Sequence, residues 1–242
     1  MPEPVRDGLR LDGQRVLVTG AAAGIGEATA RLLASLGATV LLADRDDTSA
    51  IANELRGSAF RVDLGSAEAL DELVAAAGPV DALVANAAIC PFDDWQEAGW
   101  DAVFDEVIRV DLLAPIRLAR ALLPGMAARG GGRMVFVGSL AGKTGGLIAS
   151  PHYVAAKGGL HAFVRWLARR AAPRGVIVNG VAPASIRTPL MDGRPVSTSA
   201  IPVGRLGEPL EVAWPIAFLS SPAASYVCGT VLDVNGGVRM DG

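Results

Sequence analysis

At 242 residues, about half of them hydrophobic and few aromatic, the chain is long enough to bury a substantial core and has the composition of a folded domain, not of a disordered tail. A net charge of −3 with no stripe or arm of basic residues argues against nucleic acid as a partner, and no apolar run approaches the ~18 residues that span a bilayer, so a cytosolic protein is expected. Cys90 and Cys228 lack metal-ligand spacing and give neither a zinc site nor a disulfide framework; each is expected as a small buried hydrophobe.

Residues 1–10 read as a flexible extension. Beyond them, seven runs rich in Val, Leu and Ile are predicted as strands: RVLVTG, TVLLAD, AFRVD, ALVANA, RMVFVG, VIVNGVAP and TVLDVNGG. The runs are continuous rather than alternating, as strands buried on both faces require. Between them the spacing predicts helices. Residues 26–36 place Ala30, Leu33 and Ala34 on one face, and residues 111–126 repeat the pattern with Leu112, Ile116, Ala119 and Leu123. Trp95 and Trp100 are expected to pack at the start of the helix that leads to Asp111. Strands alternating with helices imply right-handed crossovers and a Rossmann-type α/β fold, a doubly wound parallel sheet with helices on both faces. There is no internal repeat or linker, so one domain is expected over residues 1–242.

The first strand ends in TGAAAGIG, residues 19–26. Gly20 suits the tight turn, Gly24 lets backbone N–H groups approach a pyrophosphate, and Gly26 allows close packing of helix on strand. The positive end of the helix then faces the phosphates. The second strand ends in Asp44, eighteen residues past Gly26, near the ~20 expected of the acid that binds the adenosine ribose hydroxyls. A carboxylate there repels a 2′-phosphate, which favours NAD over NADP. Arg45 is the counter-argument, since a guanidinium just after the strand suits that phosphate, and a solvated loop acid is the bland alternative for Asp44.

With the downstream motifs, these residues resemble the short-chain dehydrogenase/reductase family, in its one-domain branch, over residues 14–237. TGAAAGIG matches the family's TGxxxGxG, ANAA its NNAG, VGSLAG its catalytic-serine strand and YVAAK its YxxxK. APASIRT matches its PGxxxT, and RLGEPLEVA followed by GTVLDVNGG its C-terminal segment. The resemblance implies that Gly20, Gly24, Ile25 and Gly26 hold the pyrophosphate. It sets Asp63 and Leu64 along the adenine, Asn86 in the cofactor cleft, and Pro183, Ile186 and Thr188 at the nicotinamide. Helix capping by Asp63, and service to the sheet backbone by Asn86, stay open beside these roles.

Tyr153 and Lys157 stand four residues apart, so on a helix they share a face. Lysine is rare in this chain, two against twenty arginines, and its presence here calls for a reason. A phenol is a poor base at neutral pH, and lowering its pKa by about three units takes about 4 kcal/mol, to which a neighbouring ammonium contributes. The resemblance also assigns Lys157 to the nicotinamide ribose, a task for three rotatable donors that arginine's planar fork does poorly. It places the hydroxyl of Ser139 on the substrate oxygen and makes Tyr153 the acid/base while a hydride moves between substrate and nicotinamide.

Four departures from the family pattern stand out. Asp111 occupies the place of a catalytic asparagine; an aspartate accepts hydrogen bonds but donates only when protonated, so a relay through it is expected to show an altered pH profile. Ala85 and Ala88 replace an Asn and a Gly of NNAG, Ala184 replaces the Gly of PG, and residues 190–200 make a short lid. Ile89, Cys90, Pro91, Leu147, Ile148 and Leu190 are expected to line the substrate pocket, suggesting a largely apolar alcohol or ketone. Lys143 and His152 are its polar candidates, each with a solvated loop residue as the bland reading.

The expected activity is NAD-dependent hydride transfer between the cofactor and a secondary alcohol/ketone pair. The rivals are an NADP-dependent ketone or 3-oxoacyl reductase, a non-catalytic NAD-binding regulator of the same fold, and an epimerase or dehydratase of the longer branch. The resemblance further implies a homotetramer built on helices within residues 95–126 and 153–172. No metal is expected.

Overall fold

The computed structural model describes residues 8–146, 149–194 and 196–240. All seven predicted strands form: β1 Arg15–Thr19, β2 Thr39–Asp44, β3 Ser58–Arg61, β4 Ala82–Ala85, β5 Gly132–Val137, β6 Val176–Pro183 and β7 Val231–Val234. They make one parallel sheet in the order β3-β2-β1-β4-β5-β6-β7. Successive residues of a strand point to opposite faces, so Leu17 enters one core while Val16 and Val18 enter the other.

On the first face lie α3 (Ala67–Ala77), α5 (Ala114–Ala128) and α7 (Pro151–Ala171), which bring Leu70, Leu118, Met126 and Leu160 onto Leu17, Leu83 and Phe136. The second face is covered by α1 (Gly24–Ser35), α2 (Ser49–Leu55) and α8 (Pro209–Ser220), whose Leu33, Ala52, Val212 and Ile216 join Val18, Val40 and Val84, while the one-turn α6 (Ala141–Thr144) follows β5. Each large apolar side chain buried in this way contributes about 1.5–3 kcal/mol. Local chemistry fixes the helix ends. Pro151 and Pro209 occupy first-turn positions that need no N–H, and Glu208 and Glu211 form a reciprocal capping box.

The helix expected over residues 111–126 has a different construction. A helix α4 (Trp100–Ile108) passes through a five-residue π-helical segment, Arg109–Leu113, into α5. Along it Leu118, Ala119, Leu122 and Met126 are buried, while Leu112, Ile116 and Leu123 are only partly covered. Trp95 precedes α4 and is 61% exposed, contrary to its expected packing role, whereas Trp100 does pack, against Phe104 and His152. Of the expected extension, residues 1–7 lie outside the described ones, and the Gly8 carbonyl accepts from Ala223 N. Cys90 is buried, but Cys228 is exposed. No helix among the described residues is long and apolar enough to cross a membrane.

Strand order reverses between β2 and β4 on either side of β1, and the crevice beyond the carboxyl ends of strands at such a switch point is where open α/β sheets take ligands.

Candidate active site

The turn after β1 fills that crevice with backbone. Gly20 and Gly24 have φ of 67° and 57°, a left-handed conformation that glycine adopts without strain. A Cβ on Gly26 would stand 1.9 Å from the Gly20 carbonyl oxygen, so α1 reaches this close to the strand only because residue 26 has no side chain. Ala23 at the N-cap offers no side-chain acceptor, which leaves first-turn N–H groups of α1 without a side-chain partner. Asn86 ties the floor together: its amide donates to the carbonyls of Thr19 and Gly20 at 3.0 Å each, and its own N–H donates to Thr19 Oγ1. It therefore serves the backbone and also lines the cleft.

At the edge of the turn, Asp44 accepts from the N–H groups of Ala22 and Asp46 at 2.9 and 3.0 Å, while Arg45 is exposed beside it. Asp63 accepts from Gly65 N at 2.8 Å, and the neighbouring α3 is capped by Ser66 instead, with Leu64 buried behind. Ile25, Pro183, Ile186 and Thr188 line the cleft that opens from the turn. A Cβ on Gly24 would lie 3.0 Å from the Thr188 methyl. An uncapped helix N-terminus over a glycine turn, with a carboxylate at the next strand end, fits a nicotinamide dinucleotide.

The cleft has a volume of about 610 Å³ and continues to Ser139, Tyr153 and Lys157. Ser139 follows β5 and lines the cleft with Tyr153, its Oγ accepting from Ala141 N at 3.2 Å. The serine's N–H donates to His161 Nε2 at 3.3 Å, which requires a neutral ring with its proton on Nδ1. Burial, aided by the charge of Lys143, holds His161 down to about 4. Tyr153, Lys157 and His161 recur at intervals of four on one face of α7, a spacing that would have revealed His161 had the motif been followed one turn further.

Lys157 is buried, donates to the Val137 carbonyl at 3.1 Å, and lies 3.4 Å from Asp111 Oδ2 and 5.5 Å from the centre of the Tyr153 ring. Asp111, in the π-helical segment, accepts from Ile89 N at 2.8 Å through Oδ1. Its Oδ2 has no aligned donor, so the contact with Lys157 is an ion pair and not a hydrogen bond. Burial raises the Asp111 carboxyl to about 6, with Lys157 and the Ile89 N–H pulling the other way. Burial also pushes the Tyr153 phenol up, and the charge of Asp111 adds to it. Sequence reasoning expected Lys157 to lower that phenol. Here burial, with the Asp111 charge, is the larger influence on the phenol.

Around the outer cleft the expected substrate residues divide. Cys90 and Leu190 line it. Ile89 does not; it contributes its N–H to Asp111 instead. His152 is a buried helical residue, not a solvated one, and lies outside the cleft: one position before Tyr153, it is turned about 100° around the helix and binds both carboxylate oxygens of Asp93, at 3.0 and 3.1 Å, beneath Trp100. Lys143 is likewise neither solvated nor a cleft residue, being paired with Asp233 at 2.7 Å and with the Val231 carbonyl. Leu147 and Ile148 lie outside the described residues. Arg194, which no sequence motif marked, does line the cleft.

A family model described as "Enoyl-(Acyl carrier protein) reductase" matches residues 20–239, nearly the whole chain. The chain belongs to the short-chain dehydrogenase/reductase family. A 3-oxoacyl-[acyl-carrier-protein] reductase of Vibrio harveyi is 39% identical over 96% of this chain and 100% of its own length. A cis-4-hydroxycyclohexanecarboxylate dehydrogenase of Sinomonas cyclohexanicum is 40% identical over 91% of this chain and 94% of its own. A Beutenbergia cavernae structure with bound NADP, described as an NAD(P)-dependent gluconate 5-dehydrogenase, superposes with a TM-score of 0.89 at 36% identity, covering 96% of this chain and 98% of that one. As a member of the short-chain family the protein is an NAD(P)-dependent oxidoreductase of CH–OH and carbonyl groups, which sets aside the regulator and the epimerase.

Proposed function

We propose that Ser139, Tyr153 and Lys157 carry hydride-transfer chemistry on a secondary alcohol/ketone pair in a largely apolar pocket, with NAD as the preferred cofactor. The observation that carries this reading is the convergence of Ser139, Tyr153 and Lys157 on one cleft, which runs on from the glycine turn. Bound there, the nicotinamide would accept or supply the hydride. Ser139 and Tyr153 hold the substrate oxygen between two hydroxyls, and Tyr153 takes the alcohol proton in oxidation or gives one to the ketone in reduction. A tyrosine held protonated is ready to act as the acid. Lys157 turns its donors to the nicotinamide ribose, and its charge favours the phenolate once the reaction produces it. Asp111 stands behind Lys157 as the group that exchanges protons with the centre.

NAD is favoured because a 2′-phosphate would meet the Asp44 carboxylate. NADP is the second reading, supported by the exposed Arg45 and by the NADP bound in the Beutenbergia cavernae structure. Assembly into a tetramer in the cytosol completes the proposal, supported by Trp166, half-exposed on α7 with Arg170 stacked 4.1 Å from its ring; a monomer on sizing in solution would remove that part. The deciding experiment follows the absorbance of reduced nicotinamide across a panel of secondary alcohols and ketones with each cofactor. Turnover that falls by a factor on the order of 10²–10⁴ in Tyr153→Phe is expected. Tight cofactor binding with no turnover of any member would overturn the proposal.

A further inference from the structure

The walls of the reaction cleft carry charge of one sign. Among the residues that line it, Lys157 and Arg194 are cationic and none is Asp or Glu. Lys157 is matched by Asp111 at 3.4 Å. Arg194 has no such match: its guanidinium donates to the Cys90 carbonyl and to Cys90 Sγ, the latter at 3.2 Å, and lies 5.9 Å over the Phe92 ring. No carboxylate stands within ion-pair distance of it among the described residues. A half-buried cation with only a carbonyl, a thiol and a ring face for company is under-compensated, and cations withdrawn from water are ordinarily paired.

Its position gives that imbalance a purpose. Arg194 sits in the cover of the cleft, between the single turns Pro189–Met191 and Thr198–Ala200, and its charge is felt at the reacting Tyr153. The contacts with Cys90 use neutral acceptors, weaker partners for a guanidinium than a bidentate carboxylate. Most of the remaining wall is apolar, Ala88, Leu140, Ala149, Leu190, Met191 and Val196 among it, with the uncharged hydroxyls of Thr144 and Ser197 beside them.

We propose that Arg194 is the carboxylate-binding residue of the substrate pocket, and that the substrate is a hydroxy or oxo acid with an apolar body. Its carbinol or carbonyl carbon lies at Ser139 and Tyr153 while its carboxylate takes the fork of Arg194 in place of Cys90. This rests on the oxidoreductase reading of the cleft and narrows its substrate from an apolar alcohol to an amphipathic acid.

The test uses 4-oxocyclohexanecarboxylate and its ethyl ester as paired probes, with wild type, Arg194→Met and Arg194→Lys. Wild type prefers the acid. The acid-to-ester ratio of kcat/KM falls on the order of 10- to 100-fold in Arg194→Met, mostly through KM, as expected for loss of one charge-assisted bidentate contact. Arg194→Lys restores part of it, because the charge returns without the fork. An equal loss for acid and ester overturns the proposal. So does a raised KM for the dinucleotide with the ratio unchanged, which would assign the guanidinium to the cofactor. Ester turnover with no preference for the acid in wild type refutes the carboxylate site but leaves the oxidoreductase reading standing. If no ketone turns over, calorimetry of cyclohexanecarboxylate and cyclohexanecarboxamide decides: tighter binding of the acid, lost in Arg194→Met, supports the site, and equal binding overturns it.

Discussion

Replacing Asp111 by asparagine probes the reaction centre at the point where this chain departs most from its family. The carboxyl is 1% exposed, and burial lifts it from 3.8 to about 6. A carboxyl raised on folding binds its proton more tightly in the native chain than in the unfolded one, so its stabilising contribution is present at low pH and is lost as pH rises from about 4 to about 6. At about 1.4 kcal/mol per pH unit, the rise from 3.8 to about 6 is worth about 3 kcal/mol. Asparagine does not titrate. The attraction between Lys157 and the Asp111 carboxylate is already contained in that value, so exchanging the protonated acid for the amide adds only an offset that does not vary with pH. The unfolding free energy of Asp111→Asn relative to wild type should therefore improve by about 3 kcal/mol between pH 3.5 and pH 7.5, read by urea denaturation at each pH. In activity, the amide removes the charge that pushes Tyr153 up and releases Lys157 to act on the phenol. The rising limb of alcohol oxidation should move to lower pH by about one unit or more. A stability difference flat across pH, together with superimposable pH–rate curves, would refute the role given to this carboxyl.

Two other substitutions read separate parts of the site. Asp44→Ala removes the carboxylate that opposes a 2′-phosphate, and the ratio of kcat/KM for NADP over NAD should rise by about tenfold or more; an unchanged ratio would mean that Asp44 does not set cofactor choice. His161→Leu withdraws the acceptor of the Ser139 N–H and should cost about 1–3 kcal/mol in urea unfolding. The same change should lower kcat, but since His161 is neutral across the working range it should leave the pH–rate profile unshifted, and a shifted profile would give His161 a part in proton transfer.

The strands were legible because burial on both faces demands continuous Val, Leu and Ile, and the glycine turn because Gly20, Gly24 and Gly26 answer three separate steric demands. Asp111 and Lys157 were named as separate residues, yet their pairing was not foreseen: it depends on the wide turn at Arg109–Leu113, and apolar spacing at a period of 3.6 does not register one extra residue. The expected face of this helix held at Ala119, which is buried, and in part at Leu112 and Leu123, which pack against the core from its edge. His152 was misread because adjacency to Tyr153 in sequence places a side chain on a different side of a helix. Arg194 left no signal, since an arginine in an irregular segment of a chain with twenty arginines is visible only once the segment is folded over the cleft.

The wide turn at Arg109–Leu113 also has a consequence for how this part of the chain tolerates changes in length. Between Val107 and Ala114, both buried, one more residue is accommodated than a regular helix would hold, and the surplus is what directs Asp111 inward. A deletion of one residue, ordinarily among the harshest changes to a helix because it rotates everything that follows, would here let the backbone relax to regular winding with both flanking core contacts kept. The fold would accept the shorter chain, but the acidic side chain would swing away from the lysine.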